Sequence, residues 1–335
     1  MFIEKLNNIE DSRELRTFIS EMDTLISSDI RDSRLFVFLG AGFSSMFKLP
    51  NWESLIEQIM LDVMYHNDIL GTEYEKDIQF YLLKLKYSNI NIKLKISLIN
   101  QLLISKLKSN EILYNSLCRN MKLKKSVLEY SSVTEKEIKL LNDLGKINAV
   151  FCTTNFDNVL KEVLNIENQI VKSPEYVDYG RNGIIHLHGA LEKSNKHDFM
   201  EDLTFDFESY LKRYNSPGKS ISLLKEIVDI DKLKNSTILF LGSSMQEPEL
   251  VGLISGDECF TNKYALLGFD SKEDYEISSS FYSKKYNINI IGYNSSRNHN
   301  LFNEIITKIS LGLAVKSPGS ALDKFRSALK DEVGE

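Results

Sequence analysis

Apolar positions along the chain follow two rhythms. Residues 11–30 place Leu15, Phe18, Ile19, Met22, Leu25 and Ile26 at helical spacing, which predicts an amphipathic helix. "LFVFLG" (35–40) is instead a short apolar run closed by glycine, the pattern of a buried strand. Leu55, Ile56, Ile59, Met60 and Val63 return to helical spacing. From about 62 to 145 the chain is rich in Leu, Ile, Lys and Asn, without proline. Leu102, Leu103 and Leu107 keep helical spacing there, as do Ile138, Leu141 and Leu144, so this block reads as a mostly helical insertion ending near Gly145. Within it "YSNINIKLKISL" alternates enough to pass for a strand.

After the block, strand-like runs alternate with helical ones. The strands are expected at 148–154, 183–189, 236–244, 263–269 and 288–293. Helices fit around 157–164, 207–214, 219–230, 247–254, 272–284 and 299–312. Continuous apolar strands separated by helices indicate an α/β fold: a Rossmann-like, largely parallel sheet with helices on both faces. The division that follows is an N-terminal helix (1–30), a core (31–61 and 146–312), the helical insertion (62–145) and a tail (313–335) with room for a short docking helix.

Composition narrows the function classes. Lys plus Arg number 41 against 47 Asp plus Glu, a net charge of −6, which argues against extended binding along a nucleic acid backbone. Cys118, Cys152 and Cys259 are odd in number and widely spaced, so they build neither a disulfide framework nor a tetrathiolate zinc site. A reducing cytoplasm is the expected setting, and the opening residues hold no h-region of a secretory signal. No apolar run approaches the roughly 20 residues needed to span a bilayer, so no membrane partner is expected.

The candidate chemistry sits at strand ends. Gly40-Ala41-Gly42 lies between a strand and a helix, where α/β sheets bind phosphate, although Ser45 leaves the G-x-G-x-x-G pattern incomplete. The bland alternative is a tight strand-to-helix turn. Three other strands run out into Asn155-Phe156-Asp157, His188-Gly189 and Gly242-Ser243-Ser244, and in an open parallel sheet these ends share one edge. Asn155 or Asp157 could equally cap the next helix. His186 and His188 are expected on one side of one strand, with His186 the deeper, hydrogen-bonded core residue. No nearby carboxylate or thiolate completes a metal set, so no metal is expected.

Taken in order, "GAGFS", "TTNFD" (153–157), "LHGA" (187–190) and "LGSSMQEPEL" (241–250) resemble the motifs of the sirtuin-like family, and "IGYNSSRNHNLF" (291–302) looks like the last segment of its bacterial members. The resemblance covers about 30–60 and 146–312. Two departures stand out. The four-cysteine zinc module of the protein deacylases is missing, and the first loop continues as Leu49-Pro50-Asn51-Trp52 where theirs reads Pro-Asp-Phe-Arg. With a helical block instead, the chain looks like the bacterial NAD-consuming effectors of anti-phage defence.

That resemblance implies hydrolysis of NAD+, as substrate, to nicotinamide and ADP-ribose. It implies that Asn155 positions the nicotinamide ribose and the attacking water, that Asp157 holds the carboxamide or the loop, and that His188 is the general base. Gly40, Ala41, Gly42, Gly242 and Ser243 would offer donors to the pyrophosphate and adenosine ribose, with Ser44, Thr154, Gly189 and Ser244 as further contacts. An NAD-consuming enzyme must be gated, so a partner protein, a phage-derived trigger or homo-oligomerisation is expected to activate it, with helix 11–30 and the insertion as candidate surfaces. The alternatives are a catalytically silent NAD- or ADP-ribose-binding subunit of a defence complex and, more remotely, a lysine deacylase.

Overall fold

Side chains alternate across a strand, and "LFVFL" is apolar on both faces, so this strand must lie in the middle of a covered sheet. A computed structural model describes residues 2–3, 17, 19–20, 35–121, 139, 143–145, 147, 149–164, 169–170, 184–194, 196, 198–215, 236–245, 251, 260, 262–295 and 300–314. Its strands are β1 (Phe2–Ile3), β2 (Leu35–Leu39), β3 (Val150–Thr153), β4 (Gln169–Ile170), β5 (Ile184–His186), β6 (Thr237–Leu241), β7 (Asn262–Phe269) and β8 (Asn289–Asn294). They form one sheet in the order β1-β8-β7-β6-β2-β3-β5-β4, parallel at every pairing.

The described helices are α1 (Ala41–Ser45), α2 (Trp52–Met64), α3 (Glu75–Lys86), α4 (Ile92–Leu107), α5 (Glu111–Asn120), α6 (Val159–Leu164), α7 (Phe199–Asp202), α8 (Phe207–Asn215), α9 (Lys272–Tyr286) and α10 (Asn300–Ala314). Leu35, Val37 and Leu39 of β2 join one apolar cluster with Leu301, Phe302, Ile305, Ile306 and Ile309 of α10. Phe36 and Phe38 join another, against which Tyr275, Tyr282 and Tyr286 of α9 pack. The sheet is thus covered on both faces, as the uninterrupted apolar runs require.

The insertion folds as helices where it is described. From Ile92 on, the alternating stretch is the start of α4, not a strand. Its buried positions Ile96, Ile99 and Leu103 follow i, i+3, i+7, and Asn91 caps its start by accepting from the N–H of Lys93 at 2.9 Å. α2 to α5 share a third cluster with Phe156, Leu191, Phe199, Leu203 and Phe205, residues that surround the β3 and β5 ends. The helical layer therefore rests on the segments that carry the candidate chemistry.

Two edge strands, β1 and β4, lie beyond what the apolar runs predict, each being only two residues long. The expected 183–189 strand is cut to Ile184–His186. The helices expected over 219–230 and 247–254 and the tail 313–335 lie outside the described residues, apart from residues 251, 313 and 314. The same holds for the helix expected over 11–30, apart from residues 17, 19 and 20, which are helical. Among the described residues no helix is long and apolar enough to cross a membrane.

Candidate functional site

β2 is the switch point of the sheet: the chain builds outward from it through β3 and β5 on one side and through β6, β7 and β8 on the other, and ligands of open α/β sheets bind beyond the carboxyl end of such a strand. The loops following β2, β3 and β6 meet there. The Gly40 N–H donates to the Leu241 carbonyl at 3.0 Å and the Gly42 N–H to the Gly242 carbonyl at 2.8 Å. A Cβ on Gly40 would lie 2.6 Å from Ser243 Cα, and one on Gly42 2.7 Å from the Gly242 oxygen. Gly242 itself has φ +61°, and its Cβ would meet Phe43 N at 2.5 Å. These glycines are required because two backbones interlock. The expectation that Gly40 and Gly42 offer their N–H groups to a pyrophosphate is therefore corrected, since both are used inside the protein. The N–H of Ala41, at the start of α1, takes no partner among the described residues.

Asn155 is held over this junction. Its Nδ2 donates to the Gly40 carbonyl at 3.0 Å and to Ser44 Oγ at 2.7 Å. Ser44 Oγ in turn donates a hydrogen bond to Asp157 Oδ2 at 2.7 Å, and Asp157 Oδ1 accepts the Val159 N–H at 3.0 Å. The Gly40 carbonyl can only accept, so the amide nitrogen must face it and Oδ1 is the atom turned away. Asp157 therefore takes the first N–H of α6, as expected of a cap, and anchors Ser44 as well. Asn155 caps nothing. Thr153 Oγ1 ties the strands below, donating to the Leu39 carbonyl at 2.7 Å and accepting the Asn155 N–H at 3.0 Å.

The two histidines part company. His186 ends β5 with no exposed surface, and its Nδ1 lies 3.0 Å from the Asn155 carbonyl, which makes Nδ1 the protonated nitrogen. Burial lowers its pKa to about 4, against weaker upward pulls from that carbonyl and Glu192. It is the core histidine expected from the sequence. His188 is not in the strand, because the chain turns after His186 and the Gly189 N–H bonds back to the His186 carbonyl at 3.1 Å. The i, i+2 geometry on one strand is thus overturned. His188 is 1% exposed, with its ring centroid 6.3 Å from that of Phe156 and 6.2 Å from that of Tyr210. Gly189, at φ +89°, lets the turn pass 2.5 Å (from a would-be Cβ) over the Asp202 carbonyl.

A cleft open to solvent lies against this network and is lined by Ala41, Ser44, Pro50, Trp52, Leu55, Met121, Thr154, Asn155, Phe156 and Asp157. Asn51 caps α2 through the Ser54 N–H at 2.9 Å, which sets Trp52 at the first helical position. There Trp52 meets Phe156 edge-on at 5.6 Å and stacks with Phe205 at 5.9 Å, giving the cleft an aromatic wall.

Residues 149–291 match the family model of the SIR2-like domain. No curated protein matches the chain. The match supports a sirtuin-like family and is consistent with an NAD-using enzyme. The SIR2-like segment spans β3 to the middle of β8, so it contains the Asn155, His188 and Gly242 loops, while Gly40–Ser44 lie before it.

Of the residues expected to act together, Ala41, Ser44, Thr154, Asn155 and Asp157 line the cleft. Gly40, Gly42, Gly242 and Ser243 form the interlocked rim beside it. Ser244 is exposed next to that rim, and Ser243 accepts the Met245 N–H at 3.3 Å. His188 and Gly189 do not line the cleft, although the His188 ring lies 6.3 Å from that of Phe156, which does. Trp52, Met121 and Tyr210 were not anticipated. The Pro50-Asn51-Trp52 run signals an aromatic at a helix start, but nothing near Met121 announces that the end of α5 reaches the cleft.

Proposed function

We propose that the chain hydrolyses NAD+ to nicotinamide and ADP-ribose. One observation carries this: the Asn155 amide, fixed by two bonds on its nitrogen, lines a cleft at the switch point of a parallel sheet whose residues 149–291 match the SIR2-like model. In the reaction the bond between ribose C1 and the nicotinamide nitrogen breaks, its electron pair neutralising the cationic ring. A water oxygen bonds to the same carbon and loses one proton. A fixed amide dipole that orients water costs no reorganisation at that moment. Trp52 and Phe156 give the departing ring an apolar surface, with Phe205 stacked behind Trp52. His188 takes the proton, directly or through the ribose hydroxyls, a role typically worth about 10²–10⁴ in rate.

The sirtuin-like motifs combined with a helical layer in place of a zinc module support a role as effector of a bacterial anti-phage defence system. Activation then comes from a partner protein, a phage-derived trigger or self-assembly. The test is incubation of the pure chain with NAD+, with and without lysate of phage-infected cells, following nicotinamide by chromatography. Absence of nicotinamide in every condition would overturn the proposal.

The near-complete burial of His188 favours a second reading, a silent subunit that binds NAD+ or ADP-ribose. Calorimetry showing NAD+ binding, with no nicotinamide under any condition, would select it.

A further inference from the structure

One cover of His188 is a short helix. The His188 carbonyl accepts the Thr204 N–H at 2.8 Å, and beyond Thr204 the chain enters α8, whose Tyr210 closes over the imidazole. Of residues 207–212, Tyr210 alone is buried, while Phe207 and Leu211 are each 39% exposed. Over 207–212, then, Tyr210 is the one apolar side chain of α8 that is buried. The ties of α8 run to α4 of the helical layer. Ser97 Oγ accepts the Phe207 N–H at 3.1 Å and reaches Asp206 Oδ2 at 3.4 Å. Asp206 in turn caps α8 through the Ser209 N–H at 2.8 Å. Lys93 Nζ sits 3.1 Å from the centroid of the Tyr210 ring. On its other side His188 faces Phe156, which is locked into the core with Trp52 and Phe205. The two covers differ in kind: one is core, the other a short helix on polar fasteners.

We infer that α8 is a lid over His188, latched to the helical layer by Ser97 and Lys93, and that the described state is the closed one. The lid is a claim about accessibility. Its meaning for catalysis rests on the NAD+-cleaving reading, in which a general base must touch substrate or water. A trigger that shifts α4 would release α8 and expose the imidazole, so the helical layer becomes the lever of activation.

The probe is diethyl pyrocarbonate, which acylates accessible neutral imidazole, read by peptide mass spectrometry on the full chain. His66, whose side chain is 27% exposed, serves as the reactive control, and His186, fully buried, reports loss of folding. In the wild type His188 should react far more slowly than His66. A hydrogen bond or a cation–π contact removed from the closed state should raise the open population roughly 3- to 10-fold. Ser97→Ala and Lys93→Ala should each speed acylation of His188 by about that factor, and the double variant by more, with His186 still protected. Tyr210→Ala should do so independently of the latch. Nicotinamide release should rise in parallel if the functional reading holds. Faster acylation without nicotinamide would keep the lid and remove the NAD+ reading. Acylation of His188 unchanged in all four variants, as fast as His66 in the wild type, or rising only together with His186, would overturn the lid.

Discussion

Replacing Ser44 by alanine tests whether the Asn155 amide is positioned or merely present. The hydroxyl is 5% exposed and makes two short bonds, accepting from Asn155 Nδ2 and donating to a carboxylate oxygen of Asp157, both at 2.7 Å. A bond to a charged group is worth about 1.5–3 kcal/mol net and a neutral one about 0.5–1.5 kcal/mol. Ser44→Ala should thus destabilise the fold by about 2–4 kcal/mol, lowering the thermal midpoint by several degrees. Asn155 would keep a single anchor, the Gly40 carbonyl at 3.0 Å, about which its amide can swing. Loss of one neutral bond, about 1 kcal/mol of orientation, corresponds to roughly a 5- to 10-fold fall in kcat. KM should change little, because the cleft walls at Trp52, Pro50 and Leu55 are untouched. Differential scanning fluorimetry and a nicotinamide-release assay measure the two effects. A lowered midpoint with wild-type kcat would show that the orientation of Asn155 does not depend on Ser44. An unchanged midpoint would mean the hydroxyl is not in the buried network at all.

Other outcomes follow from the same geometry. Asn155→Ala and His188→Ala should each leave a cooperative thermal transition and reduce nicotinamide release by at least about 100-fold; near-wild-type release from either would remove its assigned role. His186 titrates at about 4 when folded, against ~6.5 unfolded, because burial disfavours its charged form. Its contribution is therefore complete above pH ~6.5 and is lost as pH falls through about 4, by about 3 kcal/mol in the limit. Urea denaturation from pH 7 to 4.5 should show that slope, and His186→Gln should flatten it. Gly242→Ala should destabilise by about 2 kcal/mol or more, since φ is +61° and its Cβ would lie 2.5 Å from Phe43 N. Gly71→Ala, at φ +77° in open space, should cost only about 1 kcal/mol in the same melt.

Much of the fold is legible because its determinants are local. β2, β6, β7 and β8 are apolar runs whose burial follows from composition, and Asn51, Asn91 and Ser271 announce helix starts through their side chains. What escapes is set across long distances. Gly40 and Gly42 look like phosphate-binding glycines, but the contact that demands them is with Gly242, some 200 residues away in sequence. His186 and His188 share a strand by spacing and are separated by a turn that only the Gly189 bond reveals. The cover over His188 comes from α4 and α8, whose motifs advertise nothing beyond amphipathicity. β1 pairs through only two residues, too few to carry a pattern.

The place of β2 has a consequence for synthesis. Phe36 pairs with Val150 and Leu35 with Thr237, separations of 150 − 36 = 114 and 237 − 35 = 202 residues. The centre of the sheet emerges ahead of both its neighbours and waits for them. Throughout translation of the helical block, "LFVFL" has two unpaired edges and no charge, the features of a segment prone to intermolecular pairing. Helices α2 to α5 can close a cluster of their own in the meantime, but nothing made before residue 150 can shield that strand's hydrogen-bonding groups by pairing as the native sheet does. Yield in a heterologous host should therefore depend on chaperone capacity and on slow elongation more than on the stability of the finished molecule.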